Sequence, residues 1–202
     1  MNGNYQFKFG EKGSRAGQFC YPWDLDSNPV THQILVSDTR NRRVQMFTSY
    51  GQYLWHVGQP LDSPRGVSFL SADKFVVSDF NKHRLLILDK PSASLSTKST
   101  SNDDPNNQQQ NNLSPKYVGF GEGSAWGEFL RPQGVATGLN GSTVYCSDSR
   151  NNRISIWCSS TQNFEYLSEE IISLDRPAGL AVADNILVVV DFGNNRIQIC
   201  QR

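Results

Sequence analysis

The sequence predicts an all-β fold, a β-propeller, from three features that repeat along the chain. A short apolar run, an Asp, four residues, an Arg and a second apolar run occur together four times, at Ile34–Phe47, Phe75–Leu88, Val144–Trp157 and Leu187–Cys200. A Pro-centred turn precedes each copy, with the prolines at positions 22, 64, 132 and 177. Each unit contains short strand signals and no helical periodicity, which is typical of a propeller blade of roughly 40–45 residues.

The first unit shows the elements that we expect in every blade. Its four strands are predicted at Trp23–Leu25, Ile34–Ser37, Arg43–Phe47 and Tyr53–Val57, where β-branched and aromatic residues lie between turn residues. The same pattern places repeats near residues 21–58, 63–120, 131–168 and 176–202. We therefore expect one propeller domain over residues 1–202, with four four-stranded blades.

One interval between repeats is longer than the others. Successive Asp residues of the repeated phrase are 41, 69 and 43 residues apart, and the long interval contains the polar tract Lys90–Lys116. Removing the 27 residues of this tract from 69 leaves 42, which restores the period. A tract of Ser, Thr, Asn, Gln and Pro buries too little apolar surface to offset its ordering entropy, so residues 90–116 are predicted to be a disordered insertion in the second repeat.

Composition argues against several functional classes. Lys plus Arg and Asp plus Glu both total 19, so the net charge is zero and any polyanion site has to be a local patch. The longest aliphatic run, Ile186–Val190, is too short to cross a bilayer, and no membrane partner is expected. The N-terminus has no secretory pattern and the four cysteines have no C-x-x-C spacing, which favours a cytoplasmic protein without disulfides or zinc.

The combination of P-x-G, D-x-x-N-x-R and F-G-x-x-G resembles the NHL repeat, most closely that of TRIM-NHL proteins and their developmental-timing repressors of the LIN-41 kind. The segments that carry this resemblance are Phe9–Gly13, Tyr21–Asp24, Val36–Arg40, Asp62–Gly66, Phe129–Gly134 and Val190–Asn195. It covers the whole chain except Lys90–Lys116, and it implies the last four blades of a six-bladed propeller. Residues 1–10, through Tyr5–Phe9, would then supply the outer strand of a preceding blade. Alternatively, pairing of Tyr5–Phe9 with the final strand near Ile197 would close a four-bladed ring.

The repeated Asp and Arg are interpreted as architecture. An Asp can accept hydrogen bonds from the backbone N–H groups of a turn, and the forked guanidinium of Arg can bridge that carboxylate and nearby carbonyls. A binding site rarely needs the same chemistry in every blade, whereas a repeated turn needs it each time.

The residues beside the prolines vary, and they are the candidate site. Loops that enter the innermost strands lie around one mouth of a propeller channel, where Arg65, Arg131 and Arg176 could form a basic patch. The resemblance implies RNA contacts at these arginines and, less directly, at Tyr21, Trp23 and Gln133. The alternatives are that the arginines are solvated turn residues and that Trp23 is part of the core.

The expected function is RNA recognition for a post-transcriptional repressor, by docking an RNA hairpin or a short single-stranded motif on the top face. Guanidinium groups bind phosphates, and aromatic rings stack on unpaired bases. The alternative is a protein–protein interaction propeller, a scaffold or a substrate-recruiting module of a ubiquitin ligase, although the RING finger of such ligases is absent from these residues. An enzyme is not expected: the chain has three histidines, at non-equivalent repeat positions, and no nucleophile or phosphate-binding motif. No catalytic residue, cofactor, metal or small-molecule substrate is therefore predicted.

Overall fold

The computed structural model describes residues 3–91, 115–138, 141–167 and 172–201. Within these residues the fold is all-β, and its strands form four antiparallel sheets that are the blades of a propeller. The strands of blade 1 are β1 (Pro22–Ser27), β2 (Ile34–Asp38), β3 (Arg43–Phe47) and β4 (Tyr53–Val57). Those of blade 2 are β5 (Pro64–Phe69), β6 (Lys74–Asp79), β7 (Arg84–Asp89) and β8 (Lys116–Val118). Blade 3 contains β9 (Pro132–Thr137), β10 (Thr143–Asp148), β11 (Arg153–Cys158) and β12 (Phe164–Tyr166), and blade 4 contains β13 (Pro177–Ala183), β14 (Ile186–Asp191) and β15 (Arg196–Gln201).

The predicted fold class and the strands predicted for the first unit are confirmed. The boundaries of β3 and β4 agree with the prediction, and β1 and β2 extend slightly beyond it. The fourth blade differs, because it has three strands within the described residues. Tyr5–Phe9 forms no strand there either; instead the Phe9 ring packs 5.0 Å from that of Phe47. The pairing with the strand around Ile197 that would close a four-bladed ring is therefore not formed.

The long polar tract lies between two adjacent strands of blade 2. Strand β7 ends at Asp89 and β8 begins at Lys116, so the last residue of the predicted tract belongs to a strand. Residues 92–114 lie outside the described residues, and the predicted disorder of the tract stays a prediction.

Apolar cores form between successive blades rather than inside any one sheet. The core between blades 1 and 2 includes Leu35 and Met46 from one sheet and Phe75 and Leu88 from the other. Equivalent cores join blade 2 to blade 3 and blade 3 to blade 4. Each sheet therefore buries both faces only where it has a neighbour on both sides.

The four blades form an open arc. The innermost strands pack in the order β1, β5, β9 and β13, and β1 shares no extended contact with β13 among the described residues. In consequence β1 exposes apolar side chains at one end of the arc, and β15 exposes them at the other.

The top face is defined by the prolines that begin the innermost strands. Pro22 pairs with Asp38, which in turn pairs with Arg43, so the start of the inner strand and the turn between the next two strands share one edge. The same register recurs in the other three blades. The residues beside each proline and after each Asp therefore lie together on the top face.

The Asp and Arg of each repeat anchor this edge, which confirms their architectural role. The Asp carboxylates are fully buried at positions 38, 79, 148 and 191. Asp38 accepts a hydrogen bond from the Cys20 backbone N at 2.7 Å and another from Arg43 Nε at 2.8 Å. Arg43 also donates to the carbonyls of Ser14, Arg15 and Gln18. The N–H group that the Asp binds belongs to the loop before the inner strand and not, as predicted, to the turn itself.

Candidate functional site

The six predicted site residues occupy two kinds of position on the top face. Trp23, Arg65 and Gln133 each follow a proline directly. Tyr21, Arg131 and Arg176 each precede one, and all three have a left-handed backbone, with φ of 56°, 57° and 48°. This backbone is uncommon outside glycine, and it turns the chain sharply into the innermost strand.

Four side chains from three blades form an alternating cation–aromatic stack. The Cζ atom of Arg65 lies 4.3 Å from the centroid of the Trp23 ring and 3.3 Å from that of Phe80. The Cζ atom of Arg131 lies 4.9 Å from the same Phe80 ring. Guanidinium groups at these distances are attracted by the ring quadrupole. We call Trp23, Arg65, Phe80 and Arg131 the top-face stack.

Hydrogen bonds to amide side chains fix the orientation of the two arginines. Arg65 Nη1 donates to Gln133 Oε1 at 2.8 Å, and Gln133 Nε2 donates to Ser149 Oγ at 2.8 Å. Arg131 Nη1 donates to Asn81 Oδ1. The stack is thus preorganised by neutral partners, which leave the positive charge of each guanidinium in place.

The stack is electropositive. Burial, together with the nearby charge of Arg131, lowers the pKa of Arg65 to about 10, which still leaves this side chain protonated at neutral pH. Within the described part of the chain, no carboxylate forms an ion pair with Arg65 or Arg131. The buried Arg65 Nε also has no hydrogen-bond partner there. Two half-buried cations without a counter-ion favour an anionic ligand.

Tyr21 and Arg176 lie outside the stack. The Tyr21 ring is exposed and lies 4.0 Å from the Cζ atom of Arg40. Arg176 Nε lies 3.2 Å from Asp175 Oδ1, which neutralises part of its charge. The structure therefore brings together Trp23, Arg65, Arg131 and Gln133, and it leaves Tyr21 and Arg176 in separate pairs.

The core alternative for Trp23 is wrong, because its side chain is 53% exposed. Sequence reasoning also missed Phe80, the residue that links the two arginines. Phe80 begins a short 3-10 helix directly after Asp79, and Phe192 occupies the same place after Asp191. An aromatic residue at this position in two repeats, where Thr39 and Ser149 stand in the others, was the available signal.

A separate cavity of about 560 Å³ lies between the four innermost strands. Its carboxylates are already engaged, since Asp24 Oδ2 accepts from the backbone N of Val67 at 3.1 Å and Asp26 Oδ2 accepts from that of Phe69 at 2.8 Å. Burial raises the pKa of Asp24. These two side chains connect blade 1 to blade 2 and are part of the architecture.

Two further kinds of feature are absent from the described residues. Among them, no group of three or more His, Cys, Asp or Glu side chains is placed to hold a metal ion. No helix in this part of the chain has the length and apolar character needed to cross a membrane.

Radially packed antiparallel sheets with a repeated Asp–Arg anchor define the chain as a β-propeller of the repeat-built class. The sequence model of the NHL repeat matches residues 19–47 and 174–200, which fall in the first and fourth blades. These two blades are therefore similar in sequence to the NHL repeat.

Two curated proteins are among those similar in sequence to part of this chain. Protein brain tumor of Drosophila melanogaster is 29% identical over 90 residues, which are 44% of this chain and 9% of that protein. The E3 ubiquitin-protein ligase NHLRC1 of Homo sapiens is 31% identical over 87 residues, which are 43% of this chain and 22% of that protein. The chain spans less than a quarter of either relative, and these similarities support an NHL propeller without singling out the developmental-timing subgroup.

Solved structures with a similar fold are also propellers. A streptogramin B lyase superposes with a TM-score of 0.57 at 13% identity, covering 90% of this chain and 54% of that one. A chain of the nidogen/laminin complex superposes with a TM-score of 0.64 at 13% identity, covering 91% of this chain and 60% of that one. At this level of identity the likeness concerns the fold alone, and the lyase activity of the first neighbour does not transfer.

Proposed function

We propose that this chain binds RNA through its top face, without catalysis, as the recognition module of a TRIM-NHL-type post-transcriptional repressor. The observation that carries the proposal is the top-face stack, in which Arg65 lies between two aromatic rings and Arg131 lies against one of them, both without a counter-ion, on a chain of zero net charge. A cytoplasmic location, translational repression and a place among the developmental-timing repressors belong to the same proposal.

The stack has the chemistry that single-stranded or loop RNA needs. Guanidinium groups donate to phosphate oxygens in a fork, and exposed rings offer surfaces on which unpaired bases stack. Trp23 is half exposed and adjoins Arg65, so a base and its phosphate can be bound side by side. The deep major groove of an A-form duplex is closed to side chains, which favours a hairpin loop or a short single strand as the ligand.

The test is selection from a random RNA pool, followed by affinity measurements with the enriched motif. Arg131→Ala should weaken binding by about 1–3 kcal/mol, the range for losing a hydrogen bond to a charged group. Arg15→Ala is the matched control, because it removes the same charge from an exposed side chain outside the stack. Equal affinities for Arg131→Ala and the unmodified chain would contradict the assignment of the site.

A protein partner is the second candidate, and similarity to the E3 ubiquitin-protein ligase NHLRC1 favours it. Salt dependence separates the two candidates. If Arg65 and Arg131 each neutralise one phosphate of single-stranded RNA, log K should fall with log salt at a slope of about −1.4, and Arg131→Ala should make this slope shallower by about 0.7. An apolar protein interface at the same face would show little salt dependence.

A further inference from the structure

Successive blades are joined at their top edges through one repeat position, the fourth residue after the buried Asp. In blade 1, Arg42 Nη2 lies 2.9 Å from Asp62 Oδ1 of the loop before β5. In blade 3, Asn152 Oδ1 accepts a hydrogen bond from the backbone N of Arg176, before β13, at 2.9 Å. His83 occupies this position in blade 2. All three residues end a 3-10 helix with a left-handed backbone, with φ between 51° and 56°, so the same turn presents each of them to the next blade.

His83 makes this link through its ring and is buried, with 7% of the residue exposed. Its Nδ1 accepts a hydrogen bond from the backbone N of Arg131 at 3.2 Å. A ring nitrogen that accepts carries no proton, so the proton of the neutral imidazole is on Nε2. The Nε2 atom lies 3.7 Å from Glu122 Oε1, so an acceptor is available on that side of the ring. The geometry around His83 thus favours one neutral tautomer.

The turn that carries His83 also holds the side chain of Arg131. Asn81 Oδ1 accepts a hydrogen bond from Arg131 Nη1, and the Phe80 ring lies 4.9 Å from the Arg131 Cζ atom. Arg131 itself has φ of 57°, a backbone conformation that few residues other than glycine adopt. The bond to His83 stabilises this conformation, from which the guanidinium reaches Phe80 and Asn81. His83 is therefore bonded to the backbone of the residue whose guanidinium completes the top-face stack.

Protonation of His83 removes the acceptor. An imidazolium carries a hydrogen on both nitrogens and can only donate, so its Nδ1–H would face the backbone N–H of Arg131. Histidine is the side chain whose ordinary titration range lies closest to neutral pH. At the equivalent position, an arginine such as Arg42 stays charged and an amide such as Asn152 stays neutral in this range. This repeat position therefore responds to pH only at the junction of blades 2 and 3, directly below Arg131.

The charged groups near His83 come from its own turn and from blade 3, and they are Asp79, Lys82, Arg84, Glu122, Arg131 and Asp148. The buried carboxylates of Asp79 and Asp148 each bind the arginine of their own repeat. Among the described residues only Glu122 is within ion-pair distance of the ring, and its side chain is 67% exposed, so solvent screens the attraction. A proton on His83 therefore adds a buried positive charge beside Arg131 without a buried counter-ion, which reinforces the loss of the hydrogen bond.

We propose that His83 positions Arg131 for ligand binding, and that protonation of its imidazole releases Arg131 and weakens binding at the top-face stack. The proposal deepens the proposed function and takes RNA as its ligand from it. The link between His83 and Arg131 exists in the chain by itself, so it can be tested both with and without RNA. Ligand affinity at this face should fall as the pH drops through the range in which histidine titrates.

Affinity for the enriched RNA, measured at about pH 7.5 and about pH 5.5 in the same salt, gives the first test. The unmodified chain should bind about two- to tenfold more weakly at the lower pH, the effect of losing one hydrogen bond. His83→Asn should bind as the unmodified chain does at the higher pH and lose the pH dependence, because Asn152 accepts the same bond at the next junction. His83→Gly permits the left-handed backbone without an acceptor and should be weakened at both pH values. His32→Asn is the matched control, because it replaces an exposed histidine with φ of 55° and should retain the full pH dependence.

Nuclear magnetic resonance of the chain without RNA gives the second test. The ring nitrogens of His83 should show the Nε2-protonated tautomer at neutral pH, and the Arg131 backbone amide resonance should shift as His83 takes up a proton. A proton on Nδ1 at neutral pH, an Arg131 amide that does not follow the titration, unchanged pH dependence of RNA affinity in His83→Asn, or tighter binding by the unmodified chain at the lower pH would each overturn the proposal. A chain that bound no RNA at either pH would refute the proposed function, and the resonances of His83 and Arg131 would still decide whether the one positions the other.

Discussion

Replacing Arg43 with Ala tests whether the Asp–Arg anchors hold the propeller together. The Arg43 side chain is only 8% exposed, and its Nε lies 2.8 Å from Asp38 Oδ2. It also donates to three backbone carbonyls in the loop before β1. Removing it leaves the Asp38 carboxylate buried without its cation, which costs about 3–5 kcal/mol.

The matched comparison is Arg196→Ala, the same change at the same repeat position in blade 4. Arg196 Nε lies 2.7 Å from Asp191 Oδ2, so the pair itself is just as close. The Arg196 side chain is 50% exposed, however, and water can replace it. Because water reaches the arginine of this pair although the carboxylate is buried, the contribution of the pair should lie closer to the roughly 0–1 kcal/mol of exposed pairs, and this variant should be less affected.

Urea unfolding followed by the fluorescence of the four tryptophans measures the difference. Arg43→Ala should lower the unfolding midpoint by about 1–3 M, and Arg196→Ala by less than about 1 M. Circular dichroism without urea would show whether each variant starts folded. If Arg196→Ala lowered the midpoint as much as Arg43→Ala, burial of the arginine would not be the source of the anchor's strength.

Two further predictions concern backbone approach and pH. A Cβ on Gly66 would lie 2.4 Å from the Gln133 carbonyl oxygen of the next blade, whereas a Cβ on Gly179 would meet only the Val190 side chain at 3.2 Å. Gly66→Ala should therefore destabilise the fold by about 1–3 kcal/mol and Gly179→Ala by much less, and equal melting temperatures would contradict this. Although desolvation alone would raise the pKa of Asp191, hydrogen bonds from the Asp175 backbone and from Asn194, Arg196 and Gln198 together hold it well below its usual range. Because its pKa is lower in the folded than in the unfolded state, the ionised Asp191 stabilises the fold above the unfolded pKa of about 4, and this stabilisation is lost as the pH falls. Asp191→Asn should therefore weaken the dependence of the melting temperature on pH between about pH 2 and 5. Asp148→Asn is the control, because burial raises the pKa of Asp148 and gives the opposite sign; a fall as steep in Asp191→Asn as in the unmodified chain would refute the assignment.

Much of the fold could be predicted from the sequence because it repeats. Four copies of one Asp–Arg phrase gave the blade, its strands and the buried role of Asp38 and its equivalents. The number of strands in blade 4 and the path of Tyr5–Phe9 could not be predicted in this way, because they depend on which neighbour completes each sheet. Periodicity indicates the face of a strand that is apolar, but it does not say what covers that face.

The position of the site on the top face could be predicted from the sequence, whereas the contacts between its residues could be predicted only in part. The residues beside the prolines do lie on one face, and Arg65, Arg131 and Gln133 do come together. The two arginines are linked by Phe80, and the aromatic residue at this position in two of the four repeats does not by itself reveal the cross-blade contact with Arg131. The isolation of Arg176 has a similar cause, because its neighbour Asp175 captures the guanidinium.

The pairing of β7 with β8 makes the connection between these two strands a suitable insertion point for a label. Asp89, the last residue of β7, and Lys116, the first residue of β8, lie at the strand ends opposite the edge where Arg84 faces Asp79. In general, doubling the length of a loop costs only about 0.6 kcal/mol in closure entropy. A fluorophore, an affinity tag or a second folded module introduced between these two strands would therefore emerge on the side away from the top-face stack. Ligand binding by an immobilised or dye-labelled chain could then be measured with the stack left unobstructed.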